Sequence, residues 1–418
     1  MKHLVPPKLV QLRHVFQSFS IWIGLFVLGS FLFSNSSAAQ TANYFADYDF
    51  SKIDAAAKRI PKTIPLTPKR ITQYLASLGT NDLEKVRAFY VWLTNNVQYD
   101  MAALKQDKRI NQTNQHILER GKAVCWGYAT FFKTMCDQVG ISAAIISGYS
   151  KGTVTETYDL SEVDHAWSGV KINGEWHLLD ATWGAAYVVN HNNFIPSYND
   201  DYFLPPASRF LLKHLPADPV WQLLDCPISP NDFQLSDDYI LALAQSSTTC
   251  YALQDSLTAW EQRPHELQTL YSAFNAYRFH PIPHNKEQVG HKLMDYEFYL
   301  SQQAEQLRGK EEQIDVLLAT QQKIIDNALI AQQYINLYNH HKENLGYTYL
   351  NYATTLSRKA IPLENQGDYQ GILAIYDRMY SYLQTGKGIL LRLPSNFHIQ
   401  TALAQCEDTL EVIAHNRS

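Results

Sequence analysis

No two of the five cysteines, at 125, 136, 226, 250 and 406, stand in C-x-x-C spacing. That excludes a zinc ribbon and a thioredoxin-like redox motif. Five in 418 residues is also too few for a disulfide-dense scaffold, and the odd count leaves at least one thiol free unless bridges form between chains. Charged residues are scarce, at 18%, and the net charge is −5. No basic stripe is available to neutralise phosphates, which excludes a general nucleic-acid binder. Proline and glycine, 17 and 18 in number, are too few for a collagen-like or largely disordered chain. No Walker-type loop, G-x-G-x-x-G or G-x-S-x-G motif occurs. His340 and His341 are adjacent and cannot share one helix face, while His280 and His284 flank prolines in a loop, so no metal set is expected. No organic cofactor is expected either.

The N-terminus reads as an address. Lys2, Lys8 and Arg13 make a positive segment without any acid. Phe19 to Phe33 is apolar but short for a membrane span, and Ser37-Ala38-Ala39 offers small residues for cleavage. Residues 1–39 are therefore expected to be a secretory signal, placing the mature chain in the periplasm or outside the cell. The alternative is a single-pass N-terminal anchor, the only membrane association the sequence suggests.

Three further regions follow. Residues 40–67, punctuated by Pro61 and Pro65, read as a lead-in or linker. Residues 68–235 carry helical spacing at Val86, Phe89, Tyr90 and Leu93, then short apolar strands, with six of the eight tryptophans between Trp92 and Trp221. From 236 to 418 strand patterns stop, and no proline occurs between Pro283 and Pro362. Leu293, Tyr296, Leu300, Leu307, Ile314, Leu317 and Ile324 recur at helical spacing, with Gly309 expected to join two antiparallel helices. This half is expected to be an all-α region that recognises a partner or covers a cleft.

Chemistry concentrates in three segments. In the first, Gly121 breaks the chain. Tyr128, Phe131, Phe132, Met135 and Cys136 then follow a helical period that ends at Gly140. Cys125 falls at the start of that helix, where unpaired N–H groups and the macrodipole favour a thiolate. Cys136 lies three turns on and is expected in the core, too far along the axis to bridge to Cys125. In the second and third segments, residues 165–172 and 175–182 flank Asn173-Gly174, a strong hairpin signal. A two-residue loop pairs Trp167 with Asp180 and His165 with Thr182. His165 and Asp180 then share a sheet face, one diagonal step apart. His177 falls on the opposite face and is given no role. A thiol nucleophile needs such a pair: a His to take its proton and an Asp to orient the His.

Cysteine, histidine and aspartate in this order resemble the transglutaminase-like (papain-like) superfamily, most closely the kyphoscoliosis-peptidase-like group. The resemblance runs from about 85 to 235. It includes Trp92…Tyr99-Asp100, Ala123-Val124-Cys125, Gly127-Tyr128-Ala129 and His165-Ala166-Trp167. It continues through Leu179-Asp180-Ala181-Thr182-Trp183, Asp201-Tyr202-Phe203-Leu204 and Pro219-Val220-Trp221-Gln222-Leu223-Leu224. It implies an α+β core with Cys125 as nucleophile, His165 as base and Asp180 as orienting acid. The Cys125 N–H is the natural first oxyanion donor. The second comes from upstream, with Trp92, Gln98 and Tyr99 as candidates. The resemblance implies thiol-dependent acyl transfer on protein or peptide amides, by hydrolysis or to an amine. The alternative is an idle scaffold that keeps the fold and presents the helices to a protein partner.

Overall fold

The structure is a computed structural model, and it describes residues 45, 47–105, 113–152, 158–189, 193–245 and 249–417. The expected signal segment, 1–39, lies outside the described residues.

Helices α1 (Ser51–Ala57), α2 (Pro68–Ser77) and α3 (Asp82–Asn96) open the described chain. Thr67 caps α2 by accepting the Arg70 N–H, with Pro68 at its first position, and Asn81 caps α3 in the same way. The expected linker is thus partly a packed element. Phe50, Ile53 and Ala57 join the main core, and the buried Arg87 of α3 pairs with Asp54 of α1 and with Asp200.

Strand β1 (Gln98–Tyr99), α4 (Met101–Lys105), α5 (Asn114–Arg120) and β2 (Lys122–Ala123) lead into α6 (Cys125–Gln138). The two short strands pair in parallel, Tyr99 against Ala123. Helix α6 buries Tyr128, Phe131, Phe132, Met135 and Cys136, and the chain leaves it through Gly140 at φ +76°. Both ends and the buried face match the sequence expectation.

The main sheet runs β5 (Glu175–Leu179), β4 (His165–Ile172), β3 (Ala143–Ser150) and β8 (His214–Pro216), all antiparallel. Ser168 faces Leu179 and Val170 faces His177, the register that the Asn173-Gly174 turn dictates. Both turn residues have positive φ, 52° and 86°, as a tight hairpin of this kind requires. The second strand is shorter than expected. It stops at Leu179, because the Asp180 side chain caps α7 (Ala181–Ala185) by accepting the Thr182 and Trp183 N–H groups.

A small hairpin, β6 (Ala186–Val189) and β7 (Asn193–Pro196), follows, then the short helices α8 (Ala207–Phe210) and α9 (Pro230–Phe233). The helical half contains α10 (Asp237–Ala244), α11 (Leu253–Glu261), α12 (His265–Phe279), α13 (Pro283–Leu307), α14 (Ile314–Ala331), α15 (Asn339–Ser357), α16 (Ala360–Gln366), α17 (Tyr369–Leu390) and α18 (Phe397–Arg417). Gly309, at φ +83°, joins α13 to α14, as the sequence pattern requires.

The boundary expected at 235 marks a change in chain chemistry, not a gap between cores. Ala144, Ile146, Trp167 and Trp221 form one apolar cluster with Leu253, Leu257 and Trp260 of α11. Tyr149, Leu211 and Leu215 form another with Ile240, Ala244 and Ala276. Cys226 and Cys250 are joined by a disulfide across the same boundary. From α14 onward the helices bury their own cluster, which includes Ile325, Leu345, Ala353, Leu383 and Cys406. No helix among the described residues is long and apolar enough to cross a membrane.

Candidate active site

Cys125 occupies the first position of α6, whose N-cap, Val124, offers no side-chain acceptor and whose first turn holds no acid. The helix therefore presents its positive end beside the thiol. Cys125 is half-buried, whereas Cys136 and Cys406 are buried. Burial raises its thiol pKa. The hydrogen bond and positive charge of His165 and the N–H of Ala166 outweigh that, so the thiol is held below its ordinary value.

His165 starts β4 and is buried. Its Nε2 lies 2.7 Å from Asp180 Oδ2, leaving Nδ1 as the nitrogen that faces the thiol. Burial alone would depress this imidazole. The Asp180 carboxylate and the Cys125 thiolate reverse that and push its pKa far above the ordinary value. Asp180 itself is held well below the usual carboxylate range, because His165 and His214 overcome the effect of burial. Both shifts run toward a thiolate beside an imidazolium. The structure brings all three expected site residues together, and the hairpin register accounts for two of them.

Four N–H donors meet the Asp180 carboxylate. Thr182 and Trp183 donate to Oδ1 at 2.8 and 3.2 Å. His165 and His214 meet Oδ2 at 2.7 and 3.1 Å. Gly184 lets α7 settle against α3: a Cβ there would sit 2.0 Å from the Tyr90 hydroxyl. Gly148 does the same where β3 passes β8, since a Cβ would meet Leu215 O at 2.2 Å and the Trp167 ring at 2.5 Å.

His214 has no counterpart in the sequence expectations. It is fully buried at the start of β8 and stacked on Phe210, with ring centroids 4.2 Å apart, and it lies 4.4 Å from the Trp183 ring. Burial lowers its pKa, so it is a neutral imidazole that donates to Asp180. It falls between two stretches of family resemblance, 201–204 and 219–224, and no local pattern pairs it with Asp180.

Of the three upstream candidates, Tyr99 reaches the nucleophile. Its hydroxyl hydrogen-bonds both the Cys125 side chain and the Cys125 backbone N–H, and burial keeps it protonated far above neutral pH. The β1–β2 pairing carries it there. Trp92 instead packs in the core against Phe131, and Gln98 is exposed. His177 packs edge-on to Phe45 on the other face, as expected, with its pKa drawn down to about 4 by burial.

One set of donor atoms could in principle hold a metal: those of His165, Asp180 and His214 lie within 4.8 Å of one another. Both imidazoles already meet a single oxygen through hydrogen bonds. The set is a hydrogen-bond hub around a carboxylate, without an open centre for a cation.

Residues 69–181 match the family model of the transglutaminase-like superfamily. The kyphoscoliosis peptidases of Mus musculus and Homo sapiens are each 35% identical to this chain, over 45% and 44% of it and 28% of each relative. The Lim and transglutaminase domain protein ltd-1 of Caenorhabditis elegans is 26% identical over 46% of this chain and 28% of that protein. The chain spans under a third of the length of these curated relatives.

Proposed function

For a chain that carries a transglutaminase-like domain, we propose thiol-dependent acyl transfer on protein or peptide amides. The observation that carries this is the line Cys125–His165–Asp180, with the thiol lowered and the imidazole raised by one another. The Cys125 thiolate attacks an amide carbonyl. The carbonyl oxygen gains the electron pair and is held by the Cys125 N–H, with the Tyr99 hydroxyl as second donor. His165 passes its proton to the leaving amine as the C–N bond breaks, which yields a thioester and the free amine. Neutral His165 then takes a proton from water or from a second amine, which displaces the thiolate. Asp180 holds the ring so that Nδ1 faces sulfur throughout.

A location outside the cytoplasm belongs to the same proposal. The N-terminal pattern supports it, and so does the Cys226–Cys250 disulfide, since such bonds persist in oxidising compartments.

Iodoacetamide alkylation of the intact chain, resolved by peptide mapping, tests the thiol. Cys125 should label at pH 6, well ahead of Cys136 and Cys406, both of which burial pushes upward. A Cys125 that labels no faster than those two leaves the chain a non-catalytic interaction module.

A further inference from the structure

A cavity of about 440 Å³ opens between the sheet and the first helices of the helical half. None of the three site residues lines it, but three lining residues are their neighbours in the chain or the sheet. Trp126 follows Cys125 and is 51% exposed. Val163 lies two residues before His165. Ser147 pairs with Ala166, whose N–H supports the Cys125 thiolate.

The far wall comes from the helical half. Trp260 of α11 stands edge-on to Trp221 at 4.8 Å, and α12 and α13 close the end with Thr269 and Asn285 among others. This size is ordinary for a ligand site, and it suits one bulky side chain with its flanking backbone.

Most of the charged groups around it are engaged. Lys133 is paired with Asp137 at 2.7 Å, and Lys292 with Asp295 at 2.8 Å. Asp218 Oδ1 takes the Val220 N–H and the Asn275 amide, and burial pushes its carboxyl up to about 6. The Asn285 amide donates to the Tyr149 hydroxyl and to the His280 carbonyl, both at 2.9 Å. What remains for an incoming group is chiefly the faces of tryptophan rings and aliphatic wall. A carboxylate placed there would lose water and meet the buried Asp218 carboxyl, whose Oδ2 has no hydrogen-bond partner among the described residues. An aromatic ring would gain both burial and ring contacts.

We propose that this cavity is the substrate's side-chain subsite, and that it selects peptides with a bulky aromatic residue, in preference to an acidic one, beside the amide that Cys125 attacks. It rests on the acyl-transfer function proposed above, and it gives α11, α12 and α13 a positioning role in that reaction. The helical half then builds one wall of the specificity site.

The test uses full-length protein carrying Cys125→Ala, so that binding is read without reaction. Acetyl-Phe-Gln-amide and acetyl-Glu-Gln-amide are titrated in turn, with tryptophan fluorescence as the signal. The phenylalanyl peptide should bind at least about tenfold more tightly. Thr269→Trp, which fills the cavity from α12, should bring the two affinities together. Trp126→Ala, at a half-exposed position, should do so partly and guards against a misfolded Thr269 variant. Equal affinities in the parent protein, or a preference untouched by both variants, overturn the subsite. Alkylation of the wild-type thiol is a separate readout. An inert Cys125 with a selective cavity sinks the chemistry and leaves the binding site standing.

Discussion

Asp180 in the α+β half and Glu297 in the helical half are both buried carboxyl groups, 1% and 3% exposed, yet their pKa values move in opposite directions. Asp180 meets four N–H donors and stays ionised well below the usual range. Glu297, on α13, has its Oε2 without a hydrogen-bond partner among the described residues, and burial alone lifts it to about 7. Desolvation acts on both. The difference is whether the fold supplies donors that replace water. Around Asp180 both carboxylate oxygens meet donors, and the charge it keeps serves a thiol. In the second half an unpartnered carboxyl interrupts an apolar seam and weakens the fold near neutral pH.

Cutting the chain breaks the comparison most severely. A fragment ending at Leu235 loses Trp260 and Leu257 from the cluster around Trp167 and Trp221, and loses the Cys226–Cys250 bridge. It also strips Asn285 from the buried Tyr149 hydroxyl. Such a fragment should aggregate on expression, and a fragment ending near Leu307 should be the better behaved of the two. A soluble, cooperatively melting 40–235 fragment would show that the first half carries its own core.

Asp180→Asn comes next. An amide at this position still accepts at one oxygen but presents an N–H₂ where two imidazoles donate. Both rings must change tautomer or turn away. Acyl-transfer activity should fall by roughly 10³ to 10⁴, the scale of a lost orienting acid. Stability should fall too, by about 2 kcal/mol, because the same side chain caps α7 and holds His214. An unchanged melting temperature would mean that the cap and the His214 contact contribute little.

Glu297→Gln sharpens the other side. The folded carboxyl titrates near 7 and the unfolded one in the ordinary range near 4.3. A raised folded pKa means that the neutral form favours folding. No penalty exists below the unfolded value. It grows as pH rises towards 7 and is constant above that. The variant should therefore match wild type at pH 4 and exceed it at pH 8, by on the order of 2 kcal/mol in urea denaturation. Equal gains at both pH values would show that charge is not the cause.

The sequence was most legible where structure is local. A helix start at Cys125, its buried face through Cys136 and its stop at Gly140 follow from a 3.6-residue period and a glycine. Two residues, Asn173-Gly174, set the hairpin register and so brought His165 to Asp180. What escaped depends on contacts between distant segments. His214 reaches Asp180 only because β8, three residues long, adds to β3 from the far side. Tyr99 could not be separated from Trp92 and Gln98, since a two-residue parallel pairing decides which side chain meets Cys125. The Cys226–Cys250 bridge and the cores that cross 235 leave no spacing signature. Strand patterns cease at 235, but the sheet's outer face still needs a cover, and α11 and α12 provide it.

His214 gives the smallest and most discriminating effect. It donates to the same Asp180 oxygen as His165, so two consequences follow from removing it. His214→Phe keeps the stacking on Phe210 but deletes the N–H, leaving Asp180 with three donors. The hydrogen bond from His214 helps hold Asp180 down, so its loss raises that pKa, and the carboxylate protonates at a higher pH than before. Below that pH His165 loses its partner and the thiolate is no longer supported. Asp180 starts well below the usual carboxylate range, so the change should show only in the acid limb of Cys125 alkylation, below about pH 4, which should move up by about one pH unit. At pH 6 and pH 8, where Asp180 is ionised in both proteins, the rates should coincide. His214→Gln can place an amide N–H near the same oxygen and should restore most of the acid limb. A purely structural histidine would lower stability in both variants and leave the shape of the profile alone. If the His214→Phe profile overlays wild type down to pH 3, the fourth donor has no part in the ionisation of the site, and Asp180 is held by its cap contacts and His165 alone.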